Sequence, residues 1–211
     1  MTITLTDDQK KLQGAVRGFY TNKESFLTVD GSAGTGKTTV LRYIYESEDN
    51  LNKTFCTIDP NYTDKYMVLT ATTNKAVNVL QSQFSNTFVN VRTIHSLLGL
   101  RPFKGRLSSS YTLKHLAQSL GNRIIVIDEC SMINQDLFQL NRNRATTYNV
   151  KILYVGDSLQ LPPVNEEISL TFATVKNKVV LTDIVRQEEG NPLLELFSLL
   201  RDDIKNQTNT L

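Results

Sequence analysis

Three observations predict an α/β fold with a mostly parallel sheet flanked by helices. Short apolar, β-branched runs alternate with helix-patterned segments along the 211 residues, the rhythm of strands joined by crossover helices. The run Phe26-Leu27-Thr28-Val29 leads directly into Gly31-Ser32-Ala33-Gly34-Thr35-Gly36-Lys37-Thr38, which fits the phosphate-binding loop pattern at every fixed position. The aliphatic run Ile124-Ile125-Val126-Ile127 ends abruptly in Asp128-Glu129. Such a strand is buried, and ligands gather at the carboxyl ends of parallel strands.

The elements follow in order. A helix is predicted from Asp7 to Tyr20, opened by the capping pattern Thr6-Asp7-Asp8-Gln9. A strand near Ser25–Asp30 enters the loop, and a helix runs from Lys37 to about Glu46. The polar stretch Asp49–Lys65, carrying Asn, Asp, Thr and one Pro, is predicted to be an irregular surface connection. A strand over Tyr66–Thr70 and a helix over Asn74–Gln83 come next. Further strands are expected at Phe88–Val91, Arg123–Ile127, Val150–Val155 and Lys178–Leu181, with helices at Gln135–Arg144 and Pro192–Asp203. No internal repeat is present, and the one biased segment is the serine-rich turn around Ser108-Ser109-Ser110.

Composition is that of one soluble domain. A hydrophobic share of 40% and a charged share of 21% are ordinary, and no apolar run approaches the length needed to span a membrane. The first residues, Met1-Thr2-Ile3-Thr4, lack the basic start of a signal peptide, so the cytoplasm is the expected compartment. Cys56 and Cys130 are too few for a disulfide framework or a zinc site. The formal charge of +2 permits nucleic-acid binding without requiring it.

The loop residues Gly31 through Thr39 predict a nucleotide-phosphate site. Backbone N–H groups converge on the phosphates, Lys37 reaches the outer ones, and the Thr38 hydroxyl joins a Mg²⁺ shared with phosphate oxygens. Asp128 is expected to hold that metal, and Glu129 to orient and deprotonate the water that attacks the γ-phosphate. A third strand ends in Gly156-Asp157-Ser158-Leu159-Gln160-Leu161-Pro162-Pro163, where Gly156 is expected to allow a tight turn. Gln160 is either a γ-phosphate sensor or part of an ordinary proline-stopped loop.

Taken together, Gly31–Thr38, Asp128-Glu129-Cys130-Ser131-Met132 and Gly156–Pro163 resemble motifs I, II and III of superfamily 1 DNA helicases, in their RecD-like and Dda-like branch. Thr70–Ala76 resembles motif Ia, Thr93-Ile94-His95-Ser96 motif Ib, and Leu181–Arg186 motif IV, all in the right order. The resemblance spans Leu5 to about Asp203 and implies a single RecA-like P-loop NTPase domain over residues 1–211, the first motor domain of a 5′→3′ translocase. ATP and Mg²⁺ are the implied cofactors. Single-stranded DNA is the implied partner, in replication, recombination or repair within a bacterial or phage-infected cell.

The same resemblance assigns further roles. Gln9 matches a glutamine that reads adenine, although its place in the capping pattern leaves a purely structural role open. Arg186 matches an arginine that approaches the γ-phosphate, with a surface salt bridge as the alternative. Thr73, Asn74, Lys75, Thr93 and His95 are nominated for DNA contact. The basic and aromatic segment of about 101–121 lies where relatives insert a small hairpin that separates the duplex, with an ordinary solvated excursion as the alternative. Nothing resembling motifs V and VI follows Arg186, so the second motor domain is expected to be absent and the isolated chain is expected not to unwind DNA. A complementing second RecA-like domain or accessory replication proteins would then act in trans. The rival readings are a binding module without turnover and, less fittingly, a small P-loop kinase.

Overall fold

The computed structural model describes residues 5–84, 89–103, 106–109, 120–185 and 203. In chain order the elements are α1 (Asp7–Thr21), β1 (Phe26–Gly31), α2 (Lys37–Glu46), α3 (Glu48–Ile58), β2 (Tyr66–Ala71), α4 (Asn74–Gln83), β3 (Arg92–Thr93), α5 (Ile94–Leu97), β4 (Leu100–Phe103) and β5 (Arg106–Ser109). Then come β6 (Arg123–Asp128), a 3-10 turn (Cys130–Met132), α6 (Gln135–Tyr148), β7 (Lys151–Gly156), α7 (Leu170–Thr174) and β8 (Lys178–Leu181). Six strands form one sheet in the order β3-β2-β6-β7-β1-β8, and each neighbouring pair is parallel. The strands β4 and β5 form a separate antiparallel pair.

Alternation along β6 shows how the sheet is sandwiched. Ile124 and Val126 join a core with Leu12, Val16, Val40 and Ile44 of α1 and α2. Ile125 and Ile127 point the other way, into a core with Leu137 and Phe138 of α6 and Tyr154 of β7. Both faces of the strand are therefore dry, as a parallel sheet requires.

Three expectations change. Asp49–Lys65 is not irregular throughout, because Glu48–Ile58 is helical. Its inward stripe is polar: Glu48 and Asn52 are buried, with Leu51 and Phe55 beside them. Asn52 ties the following chain back by donating to the Lys65 carbonyl at 2.9 Å and accepting from the Lys65 amide at 3.2 Å and the Tyr62 hydroxyl at 2.8 Å. The strand expected at Phe88–Val91 is instead Arg92–Thr93. The Gln81 side chain takes the Val89 carbonyl at 2.7 Å and the Val91 amide at 3.0 Å, so these groups do not join the ladder; Phe88 lies outside the described residues. Most of the helix expected at Pro192–Asp203 also lies outside them, Asp203 being the described exception.

Gly156 is the third case. It ends β7 inside the ladder opposite Asp30, and it is not among the glycines with positive φ. Its missing side chain serves packing: a Cβ there would lie 2.9 Å from Cys130 Sγ and 3.2 Å from the Cys130 amide nitrogen. Gly156→Ala is expected to cost about 1–3 kcal/mol of stability by overpacking. Cys130→Ala should recover part of that loss; chemical denaturation of the single and double variants checks this, and equal loss in both would exclude the contact as the cause.

Candidate nucleotide site

β1 delivers the chain to Gly31 at the carboxyl edge of the sheet, and Lys37 begins α2. Between them Gly34 and Gly36 adopt φ of 87° and 82°, a left-handed backbone that other residues enter at a cost. Donors hold the loop carbonyls from several directions. Lys37 Nζ donates to Gly31 at 2.6 Å and to Ser32 at 2.9 Å, and the Thr35 hydroxyl also donates to Ser32 at 2.9 Å. The Val185 amide donates to Gly34 at 2.9 Å, Gln9 Nε2 to Thr35 at 3.1 Å, and the Val40 amide to Gly36 at 3.1 Å. Thr38 and Thr39 follow in the first turn of α2, half-buried.

Gln9 is buried and fully engaged. Its Oε1 accepts the Thr6 amide at 3.1 Å while the Thr6 hydroxyl accepts the Gln9 amide, which completes the capping box. Its Nε2 reaches the loop, and a Cβ at Gly36 would come within 2.2 Å of that nitrogen.

β6 and β7 bring the carboxylates to the same edge. Burial, reinforced by the charge of Glu129, pushes the Asp128 carboxyl up to about 6. Glu129 takes a left-handed backbone, φ 54° and ψ 42°, which turns the chain off the strand into the 3-10 turn. Its carbonyl accepts the Thr72 hydroxyl at 3.3 Å. Burial lowers the Lys37 pKa, against the opposing pull of Asp128, Asp157, Glu129 and Asp30. Lys37 thus sits among four carboxylates drawn from β1, β6 and the end of β7.

Sequence reasoning missed Asp30. Its Oδ1 accepts the Ser158 amide at 2.8 Å and its Oδ2 pairs with Lys178 at 2.9 Å, tying the third-motif loop and β8 to the strand that feeds the phosphate loop. Burial raises its pKa, but the bonds from Lys178 and Ser158 outweigh that and hold the carboxyl below its ordinary value. Its strand position gave no signal, since a single acid at a strand end reads as surface. Gln160 is exposed and its Oε1 lies 3.5 Å from the Ser131 hydroxyl. Arg186 lies outside the described residues.

The segments nominated for DNA meet at the same carboxyl edge, toward the β3 end of the strand order. Thr73 caps α4 and Thr93 caps α5, each hydroxyl accepting a backbone amide at 3.1 Å, from Ala76 and Ser96. Ala71 and Thr93 are paired across β2 and β3, so the two caps are neighbours. Asn74 and Lys75 are exposed in the first turn of α4. His95 is half-buried, and burial lowers its pKa.

Residues 4–210 match the AAA domain family. The chain belongs to that family. This AAA domain is 28% identical over 160 residues to the ATP-dependent DNA helicase dda of Enterobacteria phage T4, covering 76% of the chain and 33% of the relative. It is 27% identical over 170 residues to the ATP-dependent RecD2 DNA helicase of Deinococcus radiodurans, covering 80% of the chain and 21% of that relative. The crystal structure of Bacteroides sp Pif1 in complex with ADP-AlF4 superposes with a TM-score of 0.65 at 24% identity, over 99% of this chain and 48% of that one. The AAA domain therefore has a RecA-like P-loop fold and is related to helicases of the RecD-like and Dda-like branch. It spans a third or less of the length of the two curated relatives. No helix among its described residues is long and apolar enough to cross a membrane.

Proposed function

We propose that this domain is the ATP-binding and ATP-hydrolysing motor element of a DNA helicase, working in the cytoplasm and coupling turnover to movement along single-stranded DNA in the 5′→3′ direction. The observation that carries this reading is the convergence on Lys37 of the phosphate loop and the carboxylates at the ends of β6 and β7. The loop amides and Lys37 bind the phosphates. Glu129 holds the attacking water and takes its proton. Gln160 hydrogen-bonds the water or the γ-phosphate, and Arg186 stabilises the charge that develops there. Gln9 steadies the loop and flanks the adenine.

The residues fit a magnesium ion. Mg²⁺ takes few protein ligands and keeps substrate oxygens and waters, so the Thr38 hydroxyl and the half-buried Asp128 carboxylate would hold it. When bound, the ion neutralises charge on the phosphate oxygens. Among the described residues no cluster of three or more His, Cys, Asp or Glu side chains competes as a metal site.

Thr73, Asn74, Lys75, Thr93 and His95 form the proposed DNA track. The two cap hydroxyls accept backbone amides and still carry a proton to donate to a phosphate. Strand separation requires a second RecA-like domain closing on the nucleotide, so the 211-residue chain alone is expected to show no strand displacement. The deciding experiment is phosphate release from ATP–Mg²⁺ with and without single-stranded DNA. Stimulation by DNA supports the motor reading; nucleotide binding with no release, with or without DNA, would leave a binding module instead.

A further inference from the structure

We infer that Asp8 is a positioning residue for the phosphate-binding loop, acting through the segment that follows β8. The inference rests on the nucleotide-site reading above. Asp8 Oδ2 accepts both the Thr182 amide at 3.0 Å and the Thr182 hydroxyl at 2.8 Å, across 174 residues of chain. Three residues later the Val185 amide donates to the Gly34 carbonyl at the crown of the loop. The next residue of α1, Gln9, donates to the adjacent Thr35 carbonyl. Two consecutive side chains of one helix turn thus govern two consecutive loop carbonyls, one directly and one through residues 182–185.

The chemistry explains why this matters. A loop that binds phosphate with its amides must keep its carbonyls turned away, and each peptide plane fixes both groups at once. The Lys37, Thr35 and Val40 donors are local to the loop or its helix. Among the described residues only Gln9 and Val185 come from outside it to donate to these carbonyls. Residues 182–185 have no regular structure of their own, and Ile184 and Val185 are 43% and 52% exposed. The two bonds at Thr182 therefore tie the start of this segment to α1, next to Leu181, which is buried in the same core as Leu12 and Val16. Lys11 holds the other Asp8 oxygen at 3.1 Å, which keeps the carboxylate oriented.

The test uses the full 211-residue chain. Binding of ATP–Mg²⁺ is measured by calorimetry, and kcat and KM by phosphate release, for wild type, Asp8→Ala, Asp8→Asn, Thr182→Val and the Asp8→Ala/Thr182→Val double variant. Asp8→Ala is expected to weaken ATP binding and raise KM about tenfold, the loss of charge-assisted bonds, with kcat within about twofold of wild type. Asp8→Asn should restore most of the affinity, because its amide oxygen accepts from both Thr182 donors. The double variant should be no worse than Asp8→Ala, since both remove the same contact. ATP affinity within twofold of wild type in Asp8→Ala would overturn the inference. So would a fall in kcat at constant KM, which a general loss of folded enzyme gives. Failure of the wild-type chain to bind ATP at all would instead remove the nucleotide reading on which the inference stands.

Discussion

Glu129→Gln is expected to bind ATP–Mg²⁺ as tightly as wild type while releasing phosphate about 10²–10⁴ times more slowly, the usual contribution of a positioned general base. The amide has the shape of the carboxylate and can still hydrogen-bond a water, but it cannot take the proton. The backbone should not respond, because the left-handed conformation at residue 129 belongs equally to both side chains and the carbonyl bond from Thr72 is untouched. The Glu129 charge adds to the effect of burial on Asp128, so the variant should also let Asp128 ionise more readily. Single-turnover phosphate release with and without single-stranded DNA separates the alternatives. A rate within threefold of wild type would remove Glu129 from the chemistry, whereas an equally silent wild type would favour a module that binds without turnover.

The second large effect concerns stability. Glu48 is 6% exposed, and burial pushes its carboxyl up to about 7 despite bonds from the Tyr20 hydroxyl and, at 2.6 Å, the Met67 amide. Asp49 adds to the rise and Arg123 opposes it. An unfolded glutamate titrates near 4.3. Between about pH 4.3 and 7 the folded chain therefore holds a proton that the unfolded chain has lost, and stability falls as pH rises across that window. Above pH 7 both states are ionised and the slope ends. The loss amounts to about 3–4 kcal/mol, because each tenfold difference in proton affinity between the folded and unfolded chains is worth about 1.4 kcal/mol. Glu48→Gln should remove it, so that the variant matches wild type near pH 4.5 and is more stable by that amount at pH 8. Denaturant unfolding at both values checks the difference between the two proteins. An unchanged difference across the window would mean that Glu48 ionises normally in the folded chain.

The same residue explains what the sequence concealed. The phosphate loop and the strand ending in Asp128-Glu129 were legible because apolar runs abut fixed polar residues, and the two adjacent carboxylates follow a strand that is aliphatic throughout. Helix α3 was not legible, because its buried stripe is Glu48 and Asn52, residues whose burial depends on partners 19 and 13 positions away. The short β3 was misplaced because Gln81, in another element, claims the backbone groups of Val89 and Val91. Asp30 and Asp8 carried no local signature either. They act on residues 128 and 174 positions along the chain, and only folding brings those together.

The strand order also sets a fixed measure. From β2, which leads to the proposed DNA contacts, to β1, which leads to the phosphates, the sheet counts β2, β6, β7, β1. Three strand spacings of about 4.8 Å put these two strand ends roughly 14 Å apart, across hydrogen-bonded ladders that stretch very little. The intervening sequence is long, yet its length does not enter that distance. Insertions in the connection through α3 can be absorbed at the surface, whereas a one-residue slip of β2 against β6 would turn every side chain of that strand over. The domain thus keeps its gauge in the sheet and leaves its loops free to vary.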